Sequence, residues 1–225
     1  MQPLSRVKSD AVTHWGDPNT MSLRPQIAAK IAECIAAWTE IETLLGLLLS
    51  FLLHATPKAA LAMYAGVENR ASQLRMLHAA ASAELPKNHY DVIATLFTVY
   101  VRPAMRERDK FAHWCWGHSP ELPDALLLTE PANKTLGLYR ANELGKGRLV
   151  DVSSRFETIF VVKEADLGRV LDRFRKTELL IRRAASSVWS LNSSQERDAQ
   201  LQDLSNDSEI QKGLSRLKET TKKSC

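Results

Sequence analysis

Cysteine is scarce in this chain. Only Cys34, Cys115 and Cys225 occur in 225 residues, far apart, with no paired framework between them. That pattern suits a reducing compartment and excludes a disulfide-stapled secreted module. The opening "MQPLSRVKSDAVTHWGDP" has no apolar signal core. The most apolar run, "LLGLLLSFLL" at 44–53, falls short of the roughly 18 residues of a membrane span. A buried helix is the expectation there, in a cytoplasmic protein with no membrane partner. No internal repeat is visible, and no strong excess of one charge sign: the formal net charge is +4 with a pI of about 9.0. Such a mild basic balance permits a polyanionic partner without requiring one. What is present describes an ordinary globular chain able to bury a core, 44% hydrophobic and 25% charged.

Residues 1–22 read as irregular and polar, with turn signals at "WGDPNT". From Pro25 to His54, Ile27, Ile31, Ile35, Trp38, Leu45, Leu49 and Leu52 recur every three or four residues and predict one long helix. Glu42 falls within the Trp38/Leu45/Leu49 face, where a carboxylate needs a partner. Arg102, Arg106, Arg108 and Lys110 are the candidates. Helices are predicted at 58–65, 68–83 and 88–112, the last kinked or restarted by Pro103. The segment 121–163 changes character: "DALLLTE", "TLGLYR", "GRLVDV" and "ETIFVVK" are short, rich in branched residues and separated by turn residues. They predict a small antiparallel sheet inserted before a last long helix, about 165–191. That helix is basic away from its apolar stripe. Residues 192–225 carry six acidic and six basic side chains and few large apolar ones. A disordered or loosely helical tail is expected. The fold expectation is therefore mainly α, a helical domain over 23–191 with a strand-rich insertion.

The chemistry concentrates in "MRERDKFAHWCWGHSP", residues 105–120. Histidine has an ordinary pKa of about 6.5 and can take a proton from a ribose 2′-hydroxyl at neutral pH. Arginine stays charged and holds phosphate oxygens with a planar fork. Arg108 and His113 are five residues apart, roughly 140° around an ideal helix, so they do not share a helical face. They converge if the helix ends near His113, or if a second chain completes the site across a two-fold axis. The same residues also suit a surface arginine and a helix-terminal histidine satisfied by backbone carbonyls. His113, Cys115 and His118 supply only three ligands with no second cluster, so no metal site is expected.

"RDKFAH" at 108–113 resembles the R-x4-H motif of the HEPN superfamily, and "WTEIE" at 38–42 is similar to the Trp/Glu signature of some bacterial HEPN proteins. The likeness spans roughly residues 22–118 and, in outline, the last helix. It implies a helical bundle that dimerises and a metal-independent, cofactor-free endoribonuclease. The enzyme would be of toxin–antitoxin or other defence type, making a 2′,3′-cyclic phosphate. By that resemblance Arg108 and His113 are the catalytic pair, with Asp109 the polar residue between them and Glu42 in support. RNA is the implied partner, along with a second copy and an antitoxin or neighbouring defence protein. Some members paired with nucleotidyltransferase antitoxins carry Tyr two places after the His, where this chain has Cys115. Arg106, Lys110, Trp116, Arg173 and Lys176 are further candidates for RNA contact. The alternatives are a non-catalytic RNA- or nucleotide-binding module and a helical dimerisation protein.

Overall fold

In the computed structural model, which describes residues 1–145, 156–189 and 194–223, the chain divides into two compact units. The first comprises Met1–Ala36 with Glu107–Asp172, and the second Ala37–Arg106 with Arg173–Cys225. Helices predominate, accompanied by one small antiparallel sheet. The strand "GRLVDV" expected at 147–152 lies outside the described residues.

The first unit is built on that sheet, with strand order β1-β5-β4-β3-β2. Its strands are β1 (Gln2–Pro3), β2 (His14–Trp15), β3 (Cys115–His118), β4 (Ala125–Thr129) and β5 (Ile159–Lys163). β4 and β5 pair from Ala125↔Lys163 to Thr129↔Ile159. β3 lies on the other side of β4, with Cys115 opposite Thr129. Every residue of β4 is buried, so both faces of the central strand are covered. One face packs Ala125, Leu127, Ile159 and Val161 against Leu4, Ala11 and Leu122, with Trp15 alongside. Leu4 belongs to a single-turn helix, α1 (Leu4–Val7). On the other face Trp114 lies 6.0 Å from Phe160.

Two expectations are corrected here. Residues 1–22 are not wholly irregular, because they supply both outer strands. The sheet is therefore not confined to the 121–163 insertion. "TLGLYR" is also not a strand: it lies within helix α7 (Pro131–Gly145). Pro131 at the first helical position suits a helix start, where no N–H partner is needed. Leu136, Leu138 and Tyr139 stay exposed there, without a sheet-like alternation of buried and exposed sites.

The long helices follow the apolar periodicity closely. They are α2 (Pro25–Leu52), α3 (Pro57–Gly66), α4 (Arg70–Glu84), α5 (Lys87–Leu96), α6 (Arg102–His113) and α8 (Glu164–Trp189). The unit boundaries fall inside α2, α6 and α8. Thr56 and Asn69 cap α3 and α4 through their side-chain oxygens. Between α5 and α6 a π-helical turn spans Phe97–Val101, and the Arg102 N–H reaches back to the Phe97 carbonyl. The widened turn directly precedes Pro103, whose ring would crowd the carbonyl four residues back in a regular helix. The break expected at Pro103 is thus a π turn.

In the second unit Trp38, Ile41, Leu45, Leu77, Ile93, Leu96, Phe97, Phe174 and Ile181 form the buried core. Trp38 meets Phe174 edge-on at 6.1 Å. Ile35, read as part of the stripe, is exposed. Of the two expectations for the polar tail, the structure shows the helical one. α9 (Ser194–Ser205) and α10 (Ser208–Lys223) are helices, with Leu201, Leu204 and Ile210 buried. α10 lies close to α5: a β-carbon at Gly213 would stand 2.4 Å from Thr95 Cγ2. By length and composition α2 passes for a membrane span, with a mean hydropathy of 1.5 over its most apolar window. Half of that window is buried within the protein, so its apolarity serves packing.

Candidate active site

α6 brings two of the sequence candidates together. Arg108 Nη1 donates to His113 Nε2 at 3.2 Å. His113 is the last residue of the helix, and the chain enters β3 two residues later. The angular mismatch of a five-residue spacing is therefore resolved within one chain, by ending the helix at the histidine. A guanidinium nitrogen has no lone pair to offer, so Nε2 must be the acceptor.

The arginine is mostly buried. Its side chain is 17% exposed, and its Nε is buried without a hydrogen-bond partner. Nη1 also donates to Asp109 Oδ1, at a long 3.4 Å. His113 is exposed. Beside them Lys110 pairs with Glu107 at 3.5 Å and places its ammonium 5.6 Å from the centre of the Trp114 ring. The pair thus consists of a fixed cation and a solvent-facing base, next to a second cation.

The other candidates fall elsewhere. Trp116 donates its indole N–H to the Phe111 carbonyl at 3.2 Å and lies against the Phe111 ring, so it closes the end of α6. Glu42 belongs to the second unit, where its carboxylate accepts from Arg70 Nε at 3.2 Å. The partner expected among Arg102, Arg106, Arg108 and Lys110 is instead supplied by α4. Burial, with the Glu42 charge beside it, pushes the Tyr64 phenol well up. Arg106, Arg173 and Lys176 are likewise residues of the second unit, all three exposed. Lys176 pairs with Asp207 at 3.0 Å.

His118 does not join His113 and Cys115 in a ligand set. It stacks on His14 of β2 with ring centres 5.0 Å apart, and its Nδ1 lies 3.5 Å from Thr20 Oγ1. Among the described residues, no three His, Cys, Asp or Glu side chains gather as a metal site.

The glycine of "HWCWGH" has a specific reason. Gly117 pairs with Trp15, and a β-carbon there would stand 2.6 Å from both the Trp15 ring and the His14 carbonyl oxygen. Gly117→Ala is therefore expected to destabilise the protein by about 2 kcal/mol, an overpacking cost against backbone that cannot move aside. Urea denaturation measures it, and an unchanged midpoint would contradict the crowding. His14 and Trp15 are not legible as a strand in the sequence, since nothing local to "THWGDP" announces a strand pairing across a hundred residues. Comparison with protein-family models, with curated proteins and with solved structures finds no match to this chain.

Proposed function

We propose that the protein is a metal-independent endoribonuclease of HEPN type, with Arg108 and His113 as its catalytic pair. The single observation that carries the reading is the 3.2 Å contact between Arg108 Nη1 and His113 Nε2, formed at an exposed helix end. An incoming phosphodiester draws the guanidinium onto its non-bridging oxygens, which releases the Nε2 lone pair. His113 then takes the 2′-hydroxyl proton, the 2′-oxygen bonds to phosphorus, and the bond to the 5′-oxygen breaks. Arg108 balances the negative charge that builds on the phosphorane. The departing 5′-oxygen takes a proton from water, the His113 imidazolium returns its own to solvent, and a 2′,3′-cyclic phosphate remains. Asp109 acts through Arg108 as a positioning residue.

On this reading the site works within one chain, and dimerisation is not needed to unite the pair. The protein acts on RNA in the cytoplasm, restrained by an antitoxin or a neighbouring defence protein. The test is incubation of the purified chain with single-stranded RNA in EDTA, followed by end-group analysis. Cleavage leaving cyclic phosphate ends, and lost in folded His113→Ala, is the expected result. Cleavage unaffected by that substitution removes the assignment, and binding without turnover leaves a binding module.

A further inference from the structure

The first unit holds a cleft that the catalytic pair does not use. It opens between β2 and α7, and His14, Trp15, Thr129, Asn133, Lys134 and Arg140 are among the residues that line it. None of the described residues that line it is a carboxylate, although the chain as a whole has nearly as many acidic as basic residues. Lys134 is half-buried, and its ammonium lies 3.9 Å from where a β-carbon on Gly16 would stand, next along the chain from Trp15. Lys134 takes part in no ion pair among the described residues. One side of the cleft is thus an indole, the other a cationic and amide-bearing helix face, and its rim carries the exposed apolar side chains Leu136 and Leu138.

An aromatic surface beside a cation that no described carboxylate pairs is the chemistry that takes a nucleobase and its phosphate. We propose that this cleft binds one nucleotide of a single-stranded RNA, its base beside Trp15 and its phosphate on Lys134. The inference rests on the nuclease reading for its link to the active site, and that link is built into the sheet. Thr129, on the cleft wall, pairs directly with Cys115, two residues after His113. One strand spacing of roughly 5 Å and two residues of extended chain therefore separate the cleft wall from the imidazole backbone. A strand running from the scissile phosphate along β3 reaches the cleft within a few nucleotides. Gly117 belongs to the same device, because its missing side chain is what seats Trp15.

The test measures binding apart from cleavage, by fluorescence anisotropy of a short labelled single-stranded RNA with the full chain across a salt series. Lys134→Ala, on an open helix face, is expected to weaken binding about tenfold and to lower the salt slope by about 0.7, one phosphate contact on a single strand. Lys30→Ala, outside the cleft, should leave both unchanged. Unaltered affinity and slope in Lys134→Ala overturn the proposal. So does a free nucleoside monophosphate that depends on Lys134 yet fails to compete with RNA. If the wild type binds RNA through Lys134 but cleaves none of it, the nuclease reading falls and the cleft stands. If it cleaves through His113 with affinity indifferent to Lys134, the cleft falls and the nuclease reading stands.

Discussion

Arg108→Lys is expected to slow RNA cleavage by about a hundredfold, nearly as far as Arg108→Ala, although the charge is kept. The reason lies in how the guanidinium is used. Nη1 faces His113 at 3.2 Å and Asp109 at 3.4 Å, while Nε is buried without a partner. Only a planar fork can keep one N–H toward Asp109 while presenting others to two phosphate oxygens. An ammonium has a tetrahedral head on a flexible stem. It also brings a hydrated point charge to a place that is 17% exposed, and its release from His113 need not coincide with phosphate binding. Single-turnover rates at saturating protein separate the two effects. A Lys variant that binds RNA normally but reacts slowly fits a transition-state role for the fork. A Lys variant that cleaves at the wild-type rate would leave Arg108 as a mere counter-charge, and the proposed chemistry would lose its electrostatic half.

Much of the helical architecture was legible because burial in this chain follows simple spacing. Ile27, Ile31, Trp38, Leu45, Leu49 and Leu52 all lie in the core, as do Leu167, Leu171, Phe174, Ile181, Ala185 and Val188. The candidate pair was legible in the sequence, and a helix end near His113 was one of the two ways it could meet. "RDKFAH" names the pair, and only the helix end at His113 lets the two side chains meet. What escaped did so for two physical reasons. Two-residue strands such as His14–Trp15 carry no alternation to detect; they exist because β3 offers an edge to pair with. In the other direction, "TLGLYR" and the polar tail were judged on composition, whereas their structure depends on local starts and on neighbours. Pro131 opens α7. In the tail, Leu201, Leu204 and Ile210 are buried, and side-chain bonds hold the turn between α9 and α10.

Those bonds centre on Asp207, whose removal is expected to have the largest effect on stability. Its Oδ1 accepts from Tyr100 Oη at 2.7 Å and from the backbone amides of Glu209 and Ile210, which caps α10. Its Oδ2 pairs with Lys176, whose ammonium also stands 5.0 Å from the centre of the Tyr100 ring. Asp207→Ala removes a helix cap and two charge-assisted partners together, a loss of about 2–4 kcal/mol. The pH dependence follows from the same contacts. Burial raises the Asp207 carboxyl, but the Tyr100 and Lys176 bonds and the amides outweigh it, so its folded value lies below the ordinary 3.8. A carboxyl lowered on folding adds stability that is present above its ordinary value and disappears as pH falls through the folded one. Tyr100 is raised, by burial first, and Lys176 is raised, by its bond to Tyr100 first. Their contribution has the opposite sense: it is present below their ordinary values of 10.0 and 10.5 and vanishes as pH rises through the higher folded values. The second unit is thus most stable between these limits. Asp207→Asn, which keeps a capping oxygen but not the charge, should flatten the acid limb in denaturation experiments run between neutral pH and pH ~3. An acid limb unchanged in that variant would mean that other carboxylates set the acid stability, and that Asp207 serves only as a cap.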